Sequence, residues 1–306
     1  MITKHKTYKL DNRYLKCTRV SENDVGLFQI CDKDGVIKPP KRAKNGFITD
    51  HGTRLVFSRL KELIEVKQQI MFSYYGSKSK IVNYYPPPKH QEIIEPFAGS
   101  ARYSLKYWQN DVLLVDKYQV VIDVWNYLKC ASEKDILDFK KLNLKPKDKL
   151  TDFNLSEIER KFIGFLIVSG VSQPGKNVAS FEGIDINRNG FSRIANNLHK
   201  IRHWNIICDD YVNLDNIEAT WFIDPPYQFG GEHYKESSKN IDFKQLAEWC
   251  KSRNGQVIVC ENTKADWLPF KPMIDMVGSV HKTTEAIWSN HKTNYDNTQL
   301  QISYES

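Results

Sequence analysis

The chain has 306 residues, 41% hydrophobic and 26% charged, with a formal net charge of +7. That length holds one large domain with an insertion, or two domains, and the composition excludes an intrinsically disordered chain. The modest excess of Lys and Arg suits a polyanionic partner.

The six cysteines, Cys17, Cys31, Cys130, Cys208, Cys250 and Cys260, form no Cys-x-x-Cys pair, so neither a metal site nor a disulfide framework is expected. Scattered cysteines fit a reducing, cytoplasmic setting. Met1 to Leu10 is polar and basic, unlike a signal peptide, and no apolar run approaches the ~20 residues of a membrane span.

Residues 1–70 alternate short apolar stretches (Gly26 to Cys31, Gly46 to Thr49) with turn signals such as Asp34-Gly35, which predicts a few β-strands. Between Lys38 and Lys61 seven basic residues face one acid, Asp50; a solvated loop explains them at least as well as a nucleic-acid contact. Arg59 to Ile70 has the apolar spacing of a helix. In Tyr74-Tyr75-Gly76-Ser77-Lys78 a Gly-Ser turn before a predicted helix start can bring backbone close to a ligand, and the lysine can meet a carboxylate. Tyr84 to Pro88 breaks that helix.

Gln91 to Ile94 then reads as a strand, Glu95-Pro96-Phe97-Ala98-Gly99-Ser100-Ala101 as a small-residue loop, and Arg102 to Trp108 as a helix. Such a loop admits a nucleoside-bearing ligand. It lacks the Gly-x-x-x-x-Gly-Lys-Ser phosphate pattern and the three spaced glycines of a dinucleotide site, which argues against a nicotinamide-dependent oxidoreductase. The next strand, Val112 to Val115, ends in Asp116, 21 residues after Glu95. An acid there commonly takes ribose hydroxyls or caps a helix. Strand, loop, helix and strand with a terminal acid make the first half of a doubly wound α/β domain.

Residues 125–204 interrupt the alternation. A helical segment around Phe162 to Ile167, polar loops at Ser169 to Asn177 and Asn187 to Gly190, and a helix from Phe191 to Ile201 carrying Arg193, Lys200 and Arg202 read as an inserted, mainly helical piece. Its amide and guanidinium side chains are of the kind that read purine edges.

Trp204 to Cys208 is a strand leading to Asp209-Asp210-Tyr211, an acid and an aromatic able to flank an adenine ring. Ala219 to Ile223 is a short buried strand, and Asp224-Pro225-Pro226-Tyr227 follows at its carboxyl end. Proline fixes φ and restricts the residue before it, so the Asp224 carboxylate, the carbonyls and the Tyr227 ring are held in place. A carboxylate and a backbone carbonyl that each accept an N–H from an exocyclic amine draw its lone pair out of the ring, and an aromatic face stacks the base. Gly230 to Lys235 is a flexible loop able to close over such a base. Ile241 to Lys251 reads as a helix, Gln256 to Cys260 as a strand, and the tail as two antiparallel strands, Thr284 to Asn290 and Gln299 to Tyr304.

Together, Tyr75-Gly76-Ser77-Lys78, Glu95 to Ser100, Asp210-Tyr211, Asp224 to Tyr227 and the Glu285 to Asn290 stretch resemble the motifs of alpha-class (D12) DNA adenine-N6 methyltransferases, over about residues 72–304. The resemblance implies a Rossmann-like S-adenosylmethionine-dependent methyltransferase sheet (71–124 and 205–306), an inserted mainly helical DNA-recognition subdomain (125–204) and an N-terminal extension with strand signals (1–70). It also implies that Tyr74 and Lys78 contact S-adenosyl-L-methionine, the lysine near its carboxylate, and that Phe97 and Gly99 shape the pocket. Asp116 would hold the ribose, Asp210 would sit near the adenine, and Asp224 would lie beside the cofactor. Asp224, Pro225, Pro226 and Tyr227 would form the catalytic set, with Tyr227 stacked on a flipped adenine of double-stranded DNA and no metal required. A cognate restriction endonuclease is an implied partner. Ala101 stands where the family often has glycine, a departure expected to bring slight crowding. Cytosine-N4 or RNA amino-methyltransfer by the same fold, and a catalytically silent DNA-binding relative, are the alternatives; Asp rather than Ser at the head of the motif favours adenine.

Overall fold

A computed structural model describes residues 7–10, 13–20, 26–31, 71–78, 81–168, 170–179, 190–277 and 282–293. Two compact units, Met1–Lys67 and Gln68–Ser306, divide the chain. The first contains an antiparallel sheet of β1 (Thr7–Leu10), β2 (Arg13–Val20) and β3 (Gly26–Cys31), with a register shift between Cys17 and Arg19. The strand expected at Gly46 to Thr49, the helix at Arg59 to Ile70, the whole basic Lys38 to Lys61 stretch and the tail strand expected at Gln299 to Tyr304 lie outside the described residues.

The second unit is built on seven strands: β4 (Glu92–Glu95), β5 (Asp111–Asp116), β6 (Asn205–Cys208), β7 (Ala219–Ile223), β8 (Gly255–Asn262), β9 (Lys271–Val277) and β10 (Lys282–Ser289), in the spatial order β6-β5-β4-β7-β8-β10-β9. Strands β4 to β8 are mutually parallel, and β10 runs antiparallel between β8 and β9. The chain moves outward from β4 through β5 to β6, then crosses back to start again at β7. The carboxyl ends of β4 and β7 are therefore neighbours at a topological switch point, where open α/β sheets bind ligands. This is a Rossmann-like α/β sheet with a reversed strand near one edge.

Side-chain alternation explains the layering. On β7, Ala219, Trp221 and Ile223 enter one core while Phe222 enters the other; on β8, Val257 and Val259 part from Ile258 and Cys260 in the same way. Among the helices, α1 (Arg102–Lys106), α2 (Gln119–Cys130), α3 (Glu133–Asp138), α4 (Glu157–Ile167) and α5 (Phe191–Ala195) contribute to the larger core, and α6 (Phe243–Ser252) covers the opposite face. Ser132 with Asp135 and Ser156 with Glu159 form capping boxes that fix the starts of α3 and α4.

The inserted region is joined to the sheet domain through this packing. The expected boundary at residue 124 falls inside α2, and Phe72 meets both Trp125 and Phe165, at centroid separations of 5.0 and 5.4 Å. The helix expected after Ser77 is not formed at residues 81–84, which make a turn, with Ile81 and Val82 N–H donating to the Lys78 carbonyl. The helix expected over Phe191 to Ile201 divides into α5 and a 3-10 segment, Leu198–Ile201. Arg202, read as part of a basic face, donates to the Leu128, Lys129 and Ala131 carbonyls at the end of α2. A cation there satisfies the last carbonyls of a helix and complements its dipole. Among the described residues, no helix is long and apolar enough to cross a membrane.

Candidate active site

The ends of β4, β5 and β7 open into a cavity of about 320 Å³, within the range that holds a small organic ligand. Tyr74, Lys78, Phe97, Gly99, Asp116, Asp210, Asp224 and Pro226 all line it. Pro225 and Tyr227, of the same loop, are not among the lining residues. Seven acidic side chains (Glu95, held neutral by burial, and Asp116, Asp209, Asp210, Asp224, Glu236 and Asp242) line it against Lys78, Arg102 and Lys117, a balance that suits a cationic ligand.

The loop after β4 is shaped by unusual backbone. Gly99 has φ +43°, its N–H donates to Asp116 Oδ2 at 3.0 Å, and its carbonyl accepts from Trp125 Nε1 at 2.9 Å. A Cβ there would come within 3.1 Å of the Tyr74 ring, so glycine is what lets loop and ring meet. Ala101, two residues on, is also left-handed, with φ 45° and ψ 49°. Its departure from glycine therefore carries torsional strain of about 1–2 kcal/mol. Asp116 also accepts the Tyr118 N–H at 2.9 Å, and burial raises it to about 6. Each of its oxygens keeps a second lone pair free for hydroxyls.

On the facing side, Phe97 packs on Tyr211 with centroids 5.4 Å apart. Asp210 caps the short turn Tyr211–Asn213 and pairs with Lys117 Nζ at 2.8 Å. Glu95 is almost fully buried, accepts the Ser104 N–H at 2.7 Å, and is pushed up to about 8 by that burial.

The reacting corner is an ionic cluster. Lys78 Nζ lies 2.7 Å from Asp224 Oδ1 and 4.7 Å from the centroid of the Tyr227 ring. The resemblance assigns Lys78 to a cofactor carboxylate; its ammonium is here engaged by Asp224. Burial alone lowers the Lys78 ammonium, but Asp224 and Glu285 outweigh it and hold it above its ordinary range. Burial raises Asp224 to about 6, Lys78 opposing the shift and Glu285 adding to it. Oδ1 is buried, and the Lys78 ammonium is the group it meets. Tyr227 donates its hydroxyl to Glu285 Oε1 at 2.6 Å, and Tyr85 donates to the same oxygen at 2.6 Å. The motif loop is fixed further by Glu261, which accepts the Gln228 N–H at 2.6 Å.

The overlaps with solved structures are weak. The Escherichia coli protein yhhF, named as a candidate methyltransferase, is 7% identical and overlaps 76% of this chain and 85% of its own, with a TM-score of 0.28. The rRNA methyltransferase aviRa of Streptomyces viridochromogenes is 9% identical, over 74% of this chain and 83% of its own, with a TM-score of 0.31. No protein-family model and no curated sequence matches the chain. Likenesses this weak carry nothing about reaction or substrate, which rest on the site's own residues.

Three site residues escaped the sequence reading. Glu285 carried no signal beyond its place in a late strand; its role follows from β10 lying beside β8, in register with Asn262. Tyr85 sat in a proline-rich stretch read only as a helix breaker. Tyr234 was legible as an aromatic in a glycine-bearing loop, but not its target: its hydroxyl donates to the Tyr75 carbonyl at 3.2 Å. Gly76, with φ +71°, makes room for that hydroxyl, since a Cβ would come within 2.0 Å of it.

Proposed function

We propose that this chain is an S-adenosylmethionine-dependent methyltransferase whose acceptor is the N6 amine of adenine in double-stranded DNA. The observation that carries the reading is Asp224: a carboxylate on a proline-fixed loop at the switch point, on the wall of an acidic cavity and held by Lys78 at 2.7 Å.

The cavity's residues fit the donor. Its excess of carboxylates suits a sulfonium, Asp116 retains acceptor capacity for hydroxyls, and Phe97 with Tyr211 offers an aromatic wall of two tilted rings beside Asp210. When bound, S-adenosylmethionine supplies an electrophilic methyl group. Asp224 accepts an N–H of the acceptor amine and so localises its lone pair. Lys78 keeps that carboxylate ionised, and Glu285 fixes the Tyr227 ring that the base stacks on. The Lys78 ammonium already occupies one face of this ring, so an incoming base displaces it or stacks on the other face. A base reaches the site by extrusion from the duplex, at a few kcal/mol of unstacking. Asp224→Ala should abolish transfer of labelled methyl groups to DNA while leaving part of the donor affinity in place. Wild-type turnover by that variant would remove Asp224 from the chemistry.

A further inference from the structure

The donors around Ser77 do not all find acceptors. Arg102, the first residue of α1, follows the left-handed Ala101 and runs back toward the turn at Gly76 and Ser77. Its Nε donates to Ser77 Oγ at 2.9 Å and its Nη2 to the Phe72 carbonyl at 3.5 Å. Its Nη1 is buried and has no hydrogen-bond partner among the described residues. Ser100 Oγ and Ser77 Oγ are 3.1 Å apart. Two hydroxyls in one hydrogen bond use one proton, whichever of them donates. The other proton has no acceptor among the described residues. Ser77, Ser100 and Arg102 all line the cavity.

The electrostatics agree. Arg102 is 7% exposed. Burial, with Arg193 adding to it, lowers its guanidinium to about 9, and no carboxylate among the described residues opposes the shift. Buried guanidinium groups are normally paired. Lys78, the other buried cation of the cavity, is committed to Asp224 at 2.7 Å. One end of an otherwise acidic cavity thus holds an uncompensated cation and spare hydrogen-bond donors.

We propose that Ser77, Ser100 and Arg102 form an anion subsite, and that it, rather than Lys78, receives the carboxylate of the nucleoside amino acid bound in the cavity. The inference rests on the methyl-donor reading of that cavity and adds to it the residues that distinguish a carboxylate-bearing ligand. A charged hydrogen bond at a buried site corresponds to roughly 10- to 100-fold in affinity.

The test is calorimetric titration with two probes, S-adenosylhomocysteine and its decarboxylated analogue, which differ only in the carboxylate. The wild-type chain should bind the first about 10- to 100-fold more tightly. In Arg102→Met that ratio should fall close to one while affinity for the decarboxylated probe is kept, which also shows that the variant is folded. Ser77→Ala should lower the ratio in part, and Lys78→Met should leave it in place. The subsite is overturned if Arg102→Met weakens both probes alike, if it weakens neither, or if Lys78→Met is the change that removes the ratio. A wild-type chain that binds both probes equally removes the subsite alone, whereas one that binds neither removes the donor reading with it.

Discussion

Acid should slow methyl transfer through Asp224, and Lys78 should set where. Asp224 works only as a carboxylate, and its environment raises it from 3.8 to about 6. A group with that midpoint is almost wholly ionised at pH 8 and about one-tenth ionised at pH 5, so the single-turnover rate should fall roughly tenfold across that window. Lys78 is the largest influence opposing the rise, at 2.7 Å. An opposite charge at such range is worth about 1–3 pKa units. Lys78→Met should therefore move the acid limb upward, so that the variant is slow at pH 7 and recovers as pH approaches 9. Stability runs the other way. A carboxyl raised on folding binds its proton more tightly in the native state, so its contribution to stability falls as pH rises from about 4 to 6. Protonation of Asp224 should thus stop the chemistry without unfolding the chain. The assay is single-turnover transfer of labelled methyl groups from pH 5 to 9, with a melting curve at every pH. A flat wild-type profile, or a Lys78→Met limb that coincides with wild type, would refute the coupling.

Glu95→Gln should leave stability unchanged near pH 4 and raise it on the order of 4 kcal/mol at pH 9, because the native carboxyl is held up to about 8 by burial and loses its proton only at a cost; urea melts at the two pH values check the sign. Ala101→Gly should leave stability within about 1 kcal/mol of wild type, because the left-handed strain relieved, about 1–2 kcal/mol, is offset by added chain entropy and a lost buried methyl; a loss well beyond that in a urea melt would contradict the φ of 45°. Tyr227→Phe removes one of the two phenol hydrogen bonds to Glu285 and should destabilise by about 1.5–3 kcal/mol. A variant as stable as wild type would show that this hydrogen bond contributes nothing.

The parts of this molecule legible in sequence are those set by local pattern. The apolar runs Val112 to Val115, Ala219 to Ile223 and Gln256 to Cys260 lie within parallel strands, because strands buried on both faces read as unbroken apolar stretches. The loops after β4 and β7 were legible from their small residues and prolines. Strand β9 was not: Pro272 and Asp275 interrupt its pattern, which an edge position tolerates. Phe191 to Ile201 has a continuous helical face but breaks between α5 and the 3-10 turn, and Arg202 serves as a cap rather than as part of an exposed basic stripe. What escaped most completely was pairing across the sheet. Glu285 stands 58 residues from Tyr227 and 200 from Tyr85, and only the placement of β10 beside β8 brings the three together. The eight lining residues named from sequence come from five separate segments, and order along the chain gave no means of seeing that Lys78 meets Asp224.

The most direct test of the account is to incubate the full chain with labelled S-adenosylmethionine and unmethylated double-stranded DNA, digest the product and separate the nucleosides. The account predicts label in N6-methyladenine, dependent on Asp224. Label in N4-methylcytosine or in RNA alone would contradict the acceptor, and donor binding with no label in any nucleic acid would contradict the catalytic role given to Asp224 and its cluster.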